Sequence, residues 1–232
     1  YNDYGNSNYG TAVIGDVSGS TITYGPEYVF NSANTCYLSA AALSSTKFVV
    51  AYNDYGNSNY GTAVIGDVSG NTITYGSEYL FNPAVTYYTS VAALSSTKFV
   101  VTYTDYGNSS YGTAVIGDVS GNTITYGSEY VFNSAKTLDL SVAALSSTKF
   151  VVAYSDVGNS EYGTAIIGDV SGNTITYGSE YVFNSAQTSR FSAATLSATK
   201  FVVAYRDDGN SGYGTAVIGD ASGNIITYGS EW

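Results

Sequence analysis

The chain has 232 residues, a length that one or two domains could fill, and it lacks the Leu-, Glu- and Lys-rich stretches typical of helices. Its 7 basic residues against 18 acidic ones give a net charge of −11, which repels nucleic-acid backbones and anionic membranes. With no apolar run long enough for a spanning helix, no His and one cysteine, Cys36, membrane insertion and the usual zinc and iron sites are excluded.

One segment recurs along the whole chain. Each copy starts a new unit 51 residues after the last, and the units begin at Tyr1, Tyr52, Tyr103, Tyr154 and Tyr205. Residues 52–102 and 103–153 differ at only nine positions. Because modules of this kind cannot each bury a core, we predict a single repeat domain that spans residues 1–232.

The start of the chain is informative about location. The sequence contains no Met, so Tyr1 is not a translation start, and a cleaved signal peptide or a larger parent protein would explain this. Low charge density and many Gly, Asn, Ser and Tyr residues are typical of secreted proteins. We expect an extracellular or cell-surface protein.

In chain order, the first two predicted strands are residues 11–17 and 21–30. Each later pair of this kind is preceded by two further predicted strands. A complete set reads as strands at 88–94, 98–103, 111–119 and 123–132. Short turns separate them, with Gly in the tightest one, and a closing turn is expected at Asn133 and Ser134. Four strands joined by short turns predict an antiparallel meander.

The hydrophobic pattern changes across each set. The first two strands are nearly continuous apolar runs, whereas the fourth alternates and carries Glu and Tyr. This gradient is typical of a β-propeller blade, with the Ser-Val-Ala-Ala-Leu strand nearest the axis. We therefore predict an all-β fold, a β-propeller of four-stranded antiparallel blades. A parallel β-helix would use fewer residues per coil, and a sandwich would not require an invariant period.

The predicted strands do not divide evenly into blades. The two inner strand types occur four times each and the two outer types five times each. This count predicts four complete blades plus an N-terminal two-strand part-blade that ends near Asn31. Either the fifth blade is incomplete, or the native chain is longer, or self-association covers the open edge.

Three stretches resemble a known kind of repeat. Residues 141–145, 150–156 and 178–184 are similar to the repeats of bacterial extracellular β-propeller proteins. The near-identical units also resemble the arrangement of tachylectin-type five-bladed lectins. The resemblance implies a propeller scaffold in every unit, and it transfers no sugar-binding residue to this chain.

The distribution of polar residues argues against an enzyme. There is no His to serve as a general base, and the carboxylates recur at fixed offsets in every unit, so no single cleft collects a distinctive pair. We expect no catalytic residues.

One repeated polar loop is the candidate binding site. Its motif, Asp-x-Gly-Asn-Ser-x-Tyr, offers oxygen atoms for calcium or sugar hydroxyls and Tyr rings for pyranose faces. Alternatively, Asp and Asn cap the turn of their own loop. The candidate ligand-binding residues are Asp3, Asn6, Tyr9, Asp54, Asn57, Tyr60, Asp105, Asn108, Tyr111, Asp156, Asn159, Tyr162, Asp207, Asn210 and Tyr213. No cofactor is expected apart from calcium as a candidate.

A second repeated cluster, Asp-Val-Ser-Gly at Asp16 and its equivalents, lies on a hairpin too short to wrap an ion, so we interpret it as a turn. The units differ mainly in the polar loop and in residues 36–38, 87–89, 138–140 and 189–191. In an alternating meander these stretches share one rim, whereas the opposite rim hardly varies.

Variation on one rim favours a multivalent glycan-binding or adhesive protein with four or five similar shallow sites. The alternative is a structural subunit of an extracellular filament, sheath or surface layer. The expected partners are therefore glycans, a cell surface or further copies of the chain.

Overall fold

The computed structural model describes residues 1–232 and contains strands and five single-turn 3-10 helices. The strands are β1 (Asn2–Asp3), β2 (Tyr9–Ser18), β3 (Thr21–Ser44), β4 (Lys47–Asp54), β5 (Tyr60–Ser69), β6 (Thr72–Ser95), β7 (Lys98–Asp105), β8 (Tyr111–Ser120), β9 (Thr123–Tyr126), β10 (Tyr130–Ser146), β11 (Lys149–Asp156), β12 (Tyr162–Ser171), β13 (Thr174–Ser197), β14 (Lys200–Asp207), β15 (Tyr213–Ser222) and β16 (Ile225–Tyr228). The 3-10 turns are Tyr4–Asn6, Tyr55–Asn57, Tyr106–Asn108, Val157–Asn159 and Asp208–Asn210. None of these helices has the length and apolar character needed to cross a membrane.

Every strand pairing is antiparallel, which confirms the all-β prediction and excludes a parallel β-helix. Neighbours in the sheet are neighbours in sequence from β1 to β16, with β9 paired to β8. The path is open, because β1 pairs only with β2 and β16 pairs only with β15.

The turn predicted at Asn133 and Ser134 does not form. In three units a single 24-residue strand (β3, β6 or β13) runs through the equivalent position, and β10 runs through it in the fourth. The strand stays extended while it leaves one ladder and joins the next, with register shifts at the crossing. The Asn133 side chain fastens this crossing, since its Oδ1 accepts from Ala135 N at 3.0 Å and its Nδ2 donates to Asp156 Oδ1 at 3.0 Å.

The apolar core lies between successive units rather than within them. In the structure we use unit for one group of paired strands, which begins at Thr35, Thr86, Thr137 or Thr188, with residues 1–34 as the first unit. One cluster joins Leu94 and Ile116 of one such unit to Val152, Ile166 and Ile175 of the next, and equivalent clusters form at the neighbouring seams. Burial of this apolar surface holds the units together. The prediction that the inner strands are covered on both faces is therefore right for the units that begin at Thr86 and Thr137, whereas Ala40 and Ala42 of the unit before them and Ala194 and Ala204 of the unit after them are exposed.

Inner strands of successive units lie side by side. The Ser hydroxyl that opens each Ser-Val-Ala-Ala-Leu-type strand accepts a hydrogen bond from a backbone amide of the following unit. The bonds run from Val91 N to Ser39 Oγ at 3.2 Å, from Val142 N to Ser90 Oγ at 3.1 Å and from Ala193 N to Ser141 Oγ at 3.0 Å. Only small side chains permit this approach.

Candidate functional site

The predicted polar loop folds as a 3-10 turn in every unit. Its Asp is the N-cap, and its Oδ1 accepts from the Gly amide two residues on at 2.9–3.0 Å in all five copies. The Ser after the turn adopts the left-handed conformation, with φ between 53° and 58°. The capping role that Asp-rich turns commonly have is thus present at each copy.

In the later units the same carboxylate also ties two units together. Asn31 Nδ2 donates to Asp54 Oδ1 at 2.9 Å, and the two following units repeat this bond at 3.1 and 3.0 Å. Asp54, Asp105, Asp156 and Asp207 are buried and Asp3 is half-buried. Asp207 and Asp3 lack such an Asn partner, and the side-chain amide nitrogen of Asn184 makes no hydrogen bond. These carboxylates are engaged within the protein, and the chain contains no cluster of three or more His, Cys, Asp or Glu side chains suited to a metal ion.

The remaining candidates of the loop face outward to different extents. The five amides, Asn6, Asn57, Asn108, Asn159 and Asn210, are exposed. The rings of Tyr9, Tyr60, Tyr111 and Tyr162 are half-buried, and that of Tyr213 is exposed. Their role in ligand binding stays a prediction.

The second cluster forms a clamp on the opposite rim. Lys47 Nζ lies 2.5 Å from Asp67 Oδ1 and 2.5 Å from Asn122 Oδ1 of the next unit. The Lys47 hydrogen bond lowers the pKa of Asp67 despite some desolvation. Lys98 and Lys149 make the equivalent contacts with Asp118 and Asp169, so the Asp of this cluster helps to join neighbouring units.

A repeated Tyr–Glu pair was missed at the level of sequence. Tyr154 Oη donates to Glu180 Oε1 at 2.7 Å, and Tyr52, Tyr103 and Tyr205 make the same bond 26 residues along the chain. Burial first, and then Glu180, hold the pKa of Tyr154 well above its usual value. The invariant spacing of Tyr and Glu was the available signal.

The variable rim contains an aromatic cavity of about 210 Å³. The cavity is lined by Tyr37, Tyr87, Tyr88, Tyr106, Ser110, Lys136 and Leu138. The ring of Tyr37 lies 5.1 Å from that of Tyr88 and 5.5 Å from that of Tyr87, and Tyr87 lies 5.8 Å from Tyr106. Tilted and edge-on rings at these distances stabilise one another.

Two of these rings are positioned by unusual backbone. Tyr37 and Tyr88 have φ values of 47° and 49°, in the left-handed region, and their equivalents Asp139 and Arg190 have φ values of 36° and 56°. Each lies at a register shift between the crossing segment and the inner strand, so the bulge turns its side chain. Non-glycine residues seldom adopt this conformation, and its recurrence marks the segment as functionally interesting.

The cavity is present at only one place on the rim. All of its lining residues occupy positions that differ among the units. One unit on, Val157 replaces Tyr106, Glu161 replaces Ser110 and Gln187 replaces Lys136. Three successive units supply the lining of the aromatic cavity, which is therefore not repeated around the rim. The expectation of four or five similar shallow sites stays a prediction.

Comparison with known proteins relates the fold to propeller lectins. No protein-family profile and no curated protein matches the chain. A structure of the Aleuria aurantia lectin with Fucα1-6GlcNAc is 14% identical, with a TM-score of 0.55 over 84% of this chain and 63% of that chain. Another structure of that lectin, described as a six-bladed β-propeller with a novel fucose recognition mode, is 13% identical with a TM-score of 0.55 over 84% of this chain and 63% of that one.

The Hadza microbial sialidase Hz136 is 10% identical, with a TM-score of 0.52 over 90% of this chain and 49% of that chain. The chain thus spans less than two thirds of these proteins. At such identities the likeness shows a propeller-like fold, shared with fungal lectins, and nothing specific to tachylectins or to bacterial repeats.

Proposed function

We propose that this protein is a glycan-binding propeller whose principal site is the aromatic cavity on the variable rim. The observation that carries the proposal is that four Tyr rings, a hydroxyl and an ammonium meet in one cavity built only from variable positions. Concave, mostly apolar sites with a few polar groups are the usual form of ligand pockets.

The chemistry of the cavity suits a pyranose ring. Tyr ring faces pack against the C–H face of a sugar, while the phenol groups and the Ser110 hydroxyl exchange hydrogen bonds with its hydroxyls. Lys136 is exposed and takes part in none of the five ion pairs of the chain, so its ammonium is free to donate. The cavity accommodates about one sugar residue, which implies weak binding that repeated ligands strengthen.

The proposed architecture is a set of blades arranged around an axis. We assign the four groups of paired segments that begin at Thr35, Thr86, Thr137 and Thr188 to four-stranded blades, and β2 with the first half of β3 to an N-terminal part-blade. The propeller lectins and the seams between groups support this assignment. Residues 1–232 then form one domain, with the variable rim on one side.

The proposal includes a non-enzymatic role outside the cell or at its surface. The invariant carboxylates of the polar loop and of the opposite rim are engaged in turns and seams, which leaves no free acid and base in one cleft. A sialidase of similar fold is no argument for catalysis, because fold alone does not determine chemistry. Within the polar loop, we assign the exposed Asn residues and Tyr rings to contacts that flank the principal site.

A glycan array followed by calorimetry tests the proposal. Fucosylated glycans are the first to try, because the neighbouring Aleuria aurantia lectin was solved with Fucα1-6GlcNAc and with α-methyl-L-fucoside. Neutral and carboxylated sugars belong on the same array because of Lys136. Binding by the native chain supports the proposal, and no binding to any glycan, with or without calcium, contradicts it.

A matched pair of variants places the site. Tyr106→Val introduces the residue that the next unit carries at this position, and Tyr4→Val makes the same change at an exposed equivalent outside the cavity. We expect about a tenfold loss of affinity for Tyr106→Val, as one lost ring contact implies, and no change for Tyr4→Val.

The second candidate function is that of a structural subunit. It is favoured by exposed apolar faces at the two ends of the strand path, and it requires contacts between chains rather than saturable glycan sites.

A further inference from the structure

The first and last units expose apolar side chains whose equivalents in the internal units are buried or half-buried. On the first unit these are Val17, Ile22 and Tyr24, which we call the leading face. On the last unit they are Leu196, Ile218 and Trp232, which we call the trailing face. Exposed groups of large apolar side chains on a folded protein commonly mark a contact surface.

The leading face is one half of a seam. Ile22 is 52% exposed, whereas its equivalents Ile73, Ile124, Ile175 and Ile226 are only 3–4% exposed. Ile124 and Ile175 are buried because each packs against the unit that precedes it. Within residues 1–232 no unit precedes the first one, and Ile22 is therefore exposed.

The trailing face is the other half. Leu196 is 55% exposed, while Leu43, Leu94 and Leu145 are 5–7% exposed. The internal residues pack against the following unit, as do Ile65, Ile116 and Ile167, the equivalents of Ile218. The two end faces are therefore the complementary halves of an interface that the chain already forms internally.

A hydrogen bond shows the same complementarity. At three seams a Tyr hydroxyl of one unit donates to a backbone carbonyl of the preceding unit, from Tyr75 to Tyr28, from Tyr177 to Tyr130 and from Tyr228 to Tyr181, at 3.2–3.3 Å. The equivalent donor on the leading face is Tyr24, and the equivalent acceptor on the trailing face is the Trp232 carbonyl.

The first unit supplies only the outer part of a leading face, because it has no Ser-Val-Ala-Ala-Leu strand of its own. Two apolar cavities, of about 290 and 200 Å³, lie where those inner strands would pack, beside Ala40, Phe48 and Val50. The end-to-end contact would thus use the outer strands and be weaker than an internal seam.

We propose that the trailing face of one copy of this chain packs on the leading face of a second copy. Such a head-to-tail contact is heterologous, so it builds either a closed ring of copies or an open filament. The proposal does not depend on glycan binding, since neither face includes a residue of the aromatic cavity.

Sedimentation velocity at micromolar concentration tests the contact with the full chain. Ile22→Lys blocks the leading face and Leu196→Lys blocks the trailing face, and both residues are exposed enough for the chain to fold. The control is Val182→Lys, because Val182 is 41% exposed and its equivalents in other units are exposed to the same extent.

We expect the native chain and Val182→Lys to sediment as assemblies that grow with concentration, and each face variant to sediment as a monomer. A mixture of Ile22→Lys and Leu196→Lys retains one intact face of each kind, so it should form a one-to-one dimer and nothing larger. A monomeric native chain, or a mixture that stays monomeric, would overturn the proposal.

Discussion

The two rims of the molecule differ in what their turns and crossing segments contact. On the constant rim, Lys47 reaches both Asp67 of its own unit and Asn122 of the next. On the variable rim, the bulges of successive units carry Tyr37, Tyr88, Asp139 and Arg190 at one equivalent position.

This difference shows which positions can vary among the units. A residue that joins two units has to suit both, and so the Lys, Asp and Asn of the constant rim recur. On the variable rim the capping Asp and the Asn that donates to it join two units, and both residues are also invariant. The bulge positions of this rim vary from unit to unit, and two of them, Tyr37 and Tyr88, line the aromatic cavity.

We expect the largest loss of stability at a residue of the variable rim that joins two units. Asp156→Ala removes the acceptor of Gly158 N and Asn133 Nδ2, which leaves a buried amide unpaired. We expect a loss of about 2–3 kcal/mol in the free energy of unfolding, measured with urea. The control is Asp3→Ala, which loses only a cap and should cost about 1 kcal/mol. Equal losses would contradict the seam role of Asp156.

A smaller effect is expected at the buried Tyr–Glu pairs. Tyr154→Phe should lower the free energy of unfolding by about 1–2 kcal/mol, whereas Tyr1→Phe, whose hydroxyl bonds Glu27 at the surface, should lower it by less than about 0.5 kcal/mol. Because the pKa of Tyr154 is raised on folding, its contribution is present below the unfolded value near 10 and is lost above it. The variant should therefore lose less stability than the native chain between about pH 9 and 11. Urea unfolding at both pH values measures this, and parallel losses would contradict it.

The constant-rim clamp should contribute less still. Lys47→Met keeps the alkyl stem, removes the ammonium from Asp67 and Asn122, and should cost about 0.5–1 kcal/mol in the free energy of unfolding. Lys200→Met is the control, since Lys200 is half-exposed and pairs only with Asp220.

The pH dependence separates the clamp from simple packing. Lys47 lowers the pKa of Asp67 in the folded protein, so this carboxylate stabilises the fold above its unfolded pKa and ceases to do so as the pH falls through the folded value. Lys47→Met should therefore reduce the loss of stability below about pH 4. An unchanged acid limb in urea unfolding would show that the pair contributes nothing.

Much of the fold was predictable because the period is visible in the sequence. The strands, the antiparallel pairing and the buried Ser-Val-Ala-Ala-Leu segment all follow from hydrophobic pattern and glycine turns. The turn at Asn133 was predicted wrongly because the bond to Asp156, which keeps the crossing extended, joins residues of two different ladders.

The site was less predictable than the fold. That this rim varies could be read from the units, but the cavity combines Tyr37 with Tyr106, residues of different units, and depends on the bulge backbone at Tyr88. With 25 Tyr residues in the chain, composition alone does not distinguish these rings from the others. The Asp of the polar loop, conversely, was predicted to bind a ligand through its carboxylate oxygens. In the structure this carboxylate accepts hydrogen bonds from amides of the protein itself.

The most direct test of the division between the rims is calorimetric titration of Tyr106→Val, Tyr4→Val and Lys47→Met with the best glycan from the array. The account predicts about a tenfold weaker affinity for Tyr106→Val, with an unfolding free energy within about 0.5 kcal/mol of the native chain, and native affinity for the other two. Native affinity in Tyr106→Val, or an equal loss in Lys47→Met, would contradict it.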